Sequence, residues 1–240
     1  MSRLRRGLIT ATVLLVSLAL VLLGTNTLMN SRTFQLTGEI VHRVDTDDRV
    51  VALTFDDGPT EHAEEVVRTL DGLGVRATFY VTGRELEENP RMGALIAEAG
   101  HELGNHTYSH QRMVFRSADF TTSEIERTDA AIRETGYSGE ITFRPPNGKK
   151  LYILPSYLAE HDRTTVTWDV EPDSAEVSDA GTIAEATVRQ VRPGSIVLLH
   201  PMYDARTPTR DALSSIVESL TADGYRFVTV SELLALRPSR

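Results

Sequence analysis

Val50-Val51-Ala52-Leu53-Thr54-Phe55-Asp56-Asp57-Gly58-Pro59 opens as an apolar run and closes on two adjacent acids and a turn dipeptide. An uncharged stretch over 50–55 has the length and composition of a buried strand. Neighbouring strand side chains point to opposite faces, but where a strand gives way to a loop both can turn toward one pocket. Two carboxylates brought together there are costly to desolvate unless something positive lies between them. The chain supplies the partners further on. His106 and His110 stand four residues apart, so both imidazoles can face one metal ion from a single helical turn or a tight loop. A metal ion, rather than a pair of bare acids, is the reading these residues favour.

Outward from this run the chain alternates strand-like and helix-like segments. Apolar positions Val66, Val67, Leu70 and Leu73 recur at helical spacing after the first strand. Residues 77–81 read as a strand, 91–99 as a helix, 101–103 as a short strand and 123–135 as a helix. A short strand over 141–143, a helix over 152–160 and further segments at 164–168, 183–191, 195–199, 213–222 and 227–230 continue the pattern. About seven such units predict an α/β fold with a parallel sheet and helical crossovers. In a closed barrel of this kind the chemistry gathers at the carboxyl ends of the strands. Asp56, Asp57, Arg144 and His200 each follow a strand-like segment, and His106 and His110 follow the short one at 101–103. Each of these residues has an ordinary structural explanation when taken alone. Their occurrence together at four separate strand ends is far harder to explain that way.

The N-terminus is a separate unit. Arg3, Arg5 and Arg6 precede an uncharged stretch over 7–31 rich in Leu, Val and Ala. Its apolar core, 8–23, is short for a membrane span, and 24–29 adds weakly polar length. No clean small-x-small cleavage site follows, so a retained signal-anchor is preferred over a cleaved signal peptide. The basic cluster then stays cytoplasmic and the rest of the chain lies outside, at the cell membrane. The expected layout is a signal-anchor over 1–30, a tether with short lead-in strands over 31–48, and a catalytic domain over 49–240. With the four arginines of residues 1–32 set aside, the remainder carries 21 basic against 34 acidic residues, a net of −13. Such a domain as a whole is a poor partner for nucleic acid or anionic lipid, whose binding depends on neutralising phosphates. With no cysteine in the chain, any metal must be held by histidine and carboxylate.

Thr54-Phe55-Asp56-Asp57-Gly58, His106-x-x-x-His110, Arg144-Pro145-Pro146-Asn147-Gly148 and Leu198-Leu199-His200 occur in this order, and together they resemble the motifs of the polysaccharide deacetylase (NodB-homology) family. The similarity covers roughly residues 45–237. It implies a distorted (β/α)7 barrel that binds one divalent metal, zinc or cobalt, and hydrolyses N-acetyl groups on amino sugars. It further implies that Asp57, His106 and His110 hold the metal and that Asp56 is the base for the attacking water. Arg144 would keep Asp56 ionised and oriented, and His200 would protonate the departing amine.

The residue chemistry fits those roles. Amide hydrolysis needs an activated nucleophile, a cradle for the oxyanion and a proton for the departing nitrogen. A guanidinium keeps a nearby carboxylate charged, and a histidine titrates in the range an acid needs. The backbone N–H of Asn147 is a candidate oxyanion donor, and Leu198 a candidate apolar contact for the acetyl methyl. Two departures from the family pattern stand out. Asn147 occupies a position where many members carry an aromatic residue. The family's Asp-x-x-Asp-Trp segment is replaced by Trp168-Asp169-Val170-Glu171-Pro172-Asp173-Ser174-Ala175, so Glu171 or Asp173 must tune the acid histidine, and Trp168 is expected in the core. The sequence therefore describes a membrane-tethered, extracytoplasmic, metal-dependent deacetylase of N-acetylated glycan, of peptidoglycan or chitin type. An O-acetyl esterase of xylan-like glycan and a non-catalytic glycan-binding module are the alternatives.

Overall fold

The computed structural model describes residues 3–173 and 179–237. A long helix α1 (Arg3–Asn30) precedes a single α/β unit. Its elements are β1 (Ile40–Val41), β2 (Val50–Asp56), α2 (Ala63–Leu73), β3 (Thr78–Val81), α3 (Gly83–Glu88), α4 (Pro90–Glu98) and β4 (Glu102–Asn105). They continue with α5 (Ala118–Glu134), α6 (Ile153–Glu160), β5 (Thr165–Val166), α7 (Ala180–Gln190), β6 (Ser195–Leu199), α8 (Thr207–Ala222), β7 (Arg226–Val228) and α9 (Val230–Leu234).

Every pairing between these strands is parallel. β2 is central. β6 runs along it from Val51 to Phe55, while β7 pairs with its first half and β3 with its second. β4 continues beyond β3. Isolated bridges carry the ring onward: Phe143 pairs Asn105 on one side and Thr165 on the other, and Val170 pairs Val197 of β6. The result is a distorted barrel in which some staves have shrunk to single bridges. The strand expected over 141–143 is one of these. The short lead-in strands expected over 31–48 reduce to β1 and a bridge at Arg43; Phe34 and Leu36 are exposed, and Gln35 turns inward to bond the Glu39 carbonyl.

Parity along the strands sorts the core into two layers. Val51, Leu53 and Phe55 face the surrounding helices with Phe79, Val81, Leu103, Val197 and Leu199. Val50, Ala52, Tyr80, Ile196 and Leu198 fill the barrel interior with Val166 and Trp168. Both faces of β2 are thus apolar, as expected of a strand covered on both sides. Two short helices escape periodicity arguments. α3 is only six residues, and α9 starts where a strand over 227–230 was expected, because Thr229 and Glu232 form a reciprocal capping box. α1 is exposed throughout its apolar stretch and is the one helix among the described residues long and apolar enough to cross a membrane.

Candidate active site

The interior parity of β2, Val50-Ala52-Thr54, continues to Asp56, so this carboxylate lies at the mouth of the barrel and is buried. Parity places His106 inward beyond β4 and His200 inward beyond β6. Arg144 sits two residues after Thr142, whose hydroxyl shares a hydrogen bond with interior Tyr80 at 2.9 Å. Asp57 would point outward by parity, but it takes φ 74° and leaves the strand. Thr107, His110 and Asn147 also adopt positive φ, at 69°, 55° and 55°. Left-handed backbone at non-glycine residues is costly and gathers where a site demands it. The two histidines therefore meet from a tight loop and not from a helical turn.

Arg144, wholly buried, donates from Nη1 to Asp56 Oδ1 at 2.7 Å and to Thr54 Oγ1 at 2.8 Å. Burial pushes Asp56 up, yet the charge and hydrogen bond of Arg144, with His106 and His200, hold it below the usual carboxylate value. Asp56 is therefore ionised at neutral pH. Its other oxygen lies 3.5 Å from His106 Nε2.

The donor set for a cation is equally defined. Burial pushes His106 down, so its ring is neutral. Nδ1 lies 2.8 Å from the Arg144 carbonyl, which fixes the proton on Nδ1 and turns the Nε2 lone pair into the site. His110 Nε2 lies 3.2 Å and His106 Nε2 3.9 Å from Asp57 Oδ1. Asp57 Oδ1 is itself buried and accepts no hydrogen bond. One atom from each of Asp57, His106 and His110 falls within 4.8 Å of the others. An orphaned carboxylate oxygen facing the Nε2 atoms of two histidines fits a divalent cation.

Across the mouth, Asp173 Oδ1 lies 3.1 Å from His200 Nδ1, and Oδ2 accepts the His200 backbone N–H at 2.7 Å. Burial would lower His200, but Asp173 chiefly, with Asp56 and Asp57, raises it to about 9. Of the two acids proposed as its partner, Asp173 is the one that reaches it. Glu171 instead accepts from Trp168 Nε1 at 2.7 Å and pairs with Arg32 at 2.8 Å. Trp168 is buried within 6 Å of the Arg144 guanidinium and abuts Gly148. Ser174 and Ala175 lie outside the described residues. Asn147 is exposed in a one-turn segment whose own bonds are donated by Gly148 and Lys149, leaving the Asn147 N–H outside them. Leu198 is in the interior cluster beside Tyr80 and Trp168.

Several supporting residues escape motif reading. Thr54 relays Arg144 to the Val197 carbonyl at 2.6 Å, and its place on the interior parity of β2 was the available signal. Asn105 accepts the Thr107 N–H at 2.8 Å, and Glu124 accepts both the N–H and hydroxyl of Ser109, so the His106–His110 loop is pinned. Thr209 donates to Asp173 at 3.1 Å, and Arg206 to its carbonyl at 2.8 Å. Nothing in the sequence marks those two.

An ionised carboxylate beside a guanidinium, two imidazoles facing an orphaned carboxylate oxygen, and a third imidazole paired with a buried acid gather on one rim, the arrangement a metal-assisted hydrolase on a parallel barrel needs. A family model described as polysaccharide deacetylase matches residues 43–166, and the chain belongs to that family. It is 32% identical over 201 residues to a peptidoglycan-N-acetylglucosamine deacetylase of Bacillus cereus, covering 82% of this chain and 94% of the relative. The solved structure of the Bc1960 peptidoglycan N-acetylglucosamine deacetylase, bound to an N-hydroxybenzamide, superposes with a TM-score of 0.77 at 31% identity, covering 83% of this chain and 94% of that one. A CE4 family pseudoenzyme from Bacillus anthracis superposes at 0.76 with 26% identity, covering 85% and 72%.

Proposed function

We propose that the chain removes N-acetyl groups from amino-sugar glycan of the peptidoglycan type, outside the membrane in which α1 anchors it. The observation that carries the chemistry is the pairing of Arg144-bound Asp56 with the orphaned Asp57 oxygen between two imidazoles. Asp57, His106 and His110 hold one divalent ion, with zinc the natural choice for an N/O set without thiolate. When bound, the ion supplies Lewis acidity, easing deprotonation of water and polarising the acetyl carbonyl. Asp56 takes the proton from the attacking water, and Arg144 holds it in place. The Asn147 N–H, outside the bonds of its own one-turn segment, would receive the oxyanion. His200, kept protonated by Asp173, hands its proton to the amine as the C–N bond breaks. Acetate and a free amino sugar leave. Leu198 lies close beneath the mouth as the apolar contact for the methyl group.

The anchor is supported by length. Twenty-eight helical residues extend about 42 Å, more than the roughly 30 Å hydrocarbon layer. The arginines at its start favour a cytoplasmic N-terminus. On this reading residues 1–30 are the anchor, 31–48 the tether and 49–240 the catalytic domain. A non-catalytic role of the kind named for the pseudoenzyme is disfavoured, because a binding module has no use for a base, an acid and a donor set together. Acetate release from N-acetylated and O-acetylated oligosaccharides, each with and without chelator, tests the proposal. Chelator-sensitive release from the N-acetyl substrate is expected. Release from O-acetyl xylan alone would make the chain an esterase, and release from neither, with the metal bound, would leave the binding module.

A further inference from the structure

Among the described residues outside α1, large apolar side chains are exposed at seven positions, and five of these gather at the foot of that helix. Phe34 and Leu36 follow it directly. Tyr152 and Ile153 follow Lys150, whose backbone N–H donates to the Met29 carbonyl at 3.4 Å and whose ammonium donates to the Ser31 carbonyl. Phe115 follows Met113, which bridges Lys150 in parallel. Exposure runs from 36% at Ile153 to 76% at Phe115. The three segments involved, 31–38, 111–117 and 147–154, contain the cations Arg32, Arg112, Arg116 and Lys149, with Lys150 buried, and no acid; Arg32 pairs with Glu171 from outside them. That composition stands out in a domain whose acids outnumber its bases by 13.

Aromatic and aliphatic side chains mixed with cations and free of acids are what a membrane interface selects, the apolar groups entering the acyl boundary and the cations meeting anionic headgroups. We propose that this basic, apolar collar rests in the headgroup layer of the membrane that α1 crosses, so that the mouth of the active site opens along the bilayer surface. The inference rests on α1 being the anchor. A bilayer is favoured over a protein partner because the collar is continuous with the end of that helix: Lys149 reaches Asn30, and Thr167 donates to the Arg32 carbonyl at 2.7 Å. The loop carrying Asn147 is the loop that meets the helix. Three residues span at most about 10 Å, so the reacting acetyl group sits close to the membrane surface. The glycan within reach is then one held near the bilayer.

The absence of native cysteine allows a direct test on the full chain in vesicles. Phe115→Cys, Tyr152→Cys, Leu15→Cys and Glu218→Cys each receive an environment-sensitive dye. Vesicles of phosphatidylglycerol and phosphatidylcholine carry lipids spin-labelled near the headgroup, to read 115, 152 and 218, or deep in the acyl chain, to read 15. Dyes at 115 and 152 should be quenched at least about twofold more than the one at 218, on the exposed face of α8, and less so in phosphatidylcholine alone. Quenching at 15 without quenching at 115 and 152 would overturn the collar and leave the anchor standing. Shielding of 115 and 152 from aqueous iodide without lipid quenching would mean a protein covers them, against the proposal. No quenching at 15 would remove the anchor itself.

Discussion

Asp56 and Asp57 are chemically identical neighbours with different surroundings. The first accepts from Arg144 at 2.7 Å; the second faces His110 at 3.2 Å without a hydrogen bond to its Oδ1. Asp56→Asn should keep the metal and lose activity by about two orders of magnitude or more, whereas Asp57→Asn should lose the metal. Metal analysis and turnover on the two variants check this, and the opposite pattern would reverse their roles. His200→Ala should damage amide hydrolysis far more than hydrolysis of an activated aryl acetate, whose leaving group needs no proton. Equal slowing of both, with metal loss, would make His200 a ligand instead. In Asp173→Asn the causes that raise His200 are weakened and burial is left to lower it, so the alkaline limb of kcat/KM should move to lower pH. An unmoved limb would remove Asp173 from the acid's control. The same raised value means that the His200–Asp173 pair stabilises the fold fully below pH 6.5 and loses that contribution as pH rises through about 9. A cation on Asp57 offsets the share of the rise owed to that carboxylate.

At the scale of elements, the strands work as address lines. Interior parity delivers Asp56, His106 and His200 to one rim, and the positive φ at Asp57 and His110 completes the donor set. β4 shows how tightly the arrangement is packed. A methyl added at Gly104 would stand 2.5 Å from the Tyr80 ring, over which the Arg144 guanidinium lies at 4.1 Å. Gly104→Ala should therefore cost about 1–3 kcal/mol and lower turnover through a displaced Arg144. Thermal melts and kinetics check it; an unchanged kcat would separate Tyr80 from the site. The strand ends were legible in the sequence because each apolar run stops at a chemically loaded residue. Which face of β2 is interior was not legible, since helices cover one side and the barrel core the other, and no polar alternation survives. The choice between Glu171 and Asp173 was hidden for a related reason: it depends on a contact made across 27 residues of chain. The six residues of α3 are too few to display a period.

For the whole molecule, a helix with a basic start carries a strongly acidic domain, and three basic, acid-free segments lie where the two join. The barrel binds its own chain there through Trp168, Glu171 and Arg32, so the end of α1 and the rim are mechanically connected. Metal stripping should lower the melting temperature modestly, because an empty donor set leaves the buried Oδ1 of Asp57 without a hydrogen bond. The proposed N-deacetylase activity depends on one ion held by Asp57, His106 and His110. The most direct measurement strips the protein of metal and titrates zinc back, following acetate release from an N-acetylglucosamine oligomer together with bound metal per chain. Activity should return in proportion to bound ion and level off at about one per chain, the stoichiometry of a three-ligand site. Full acetate release from protein verified as metal-free would contradict the account.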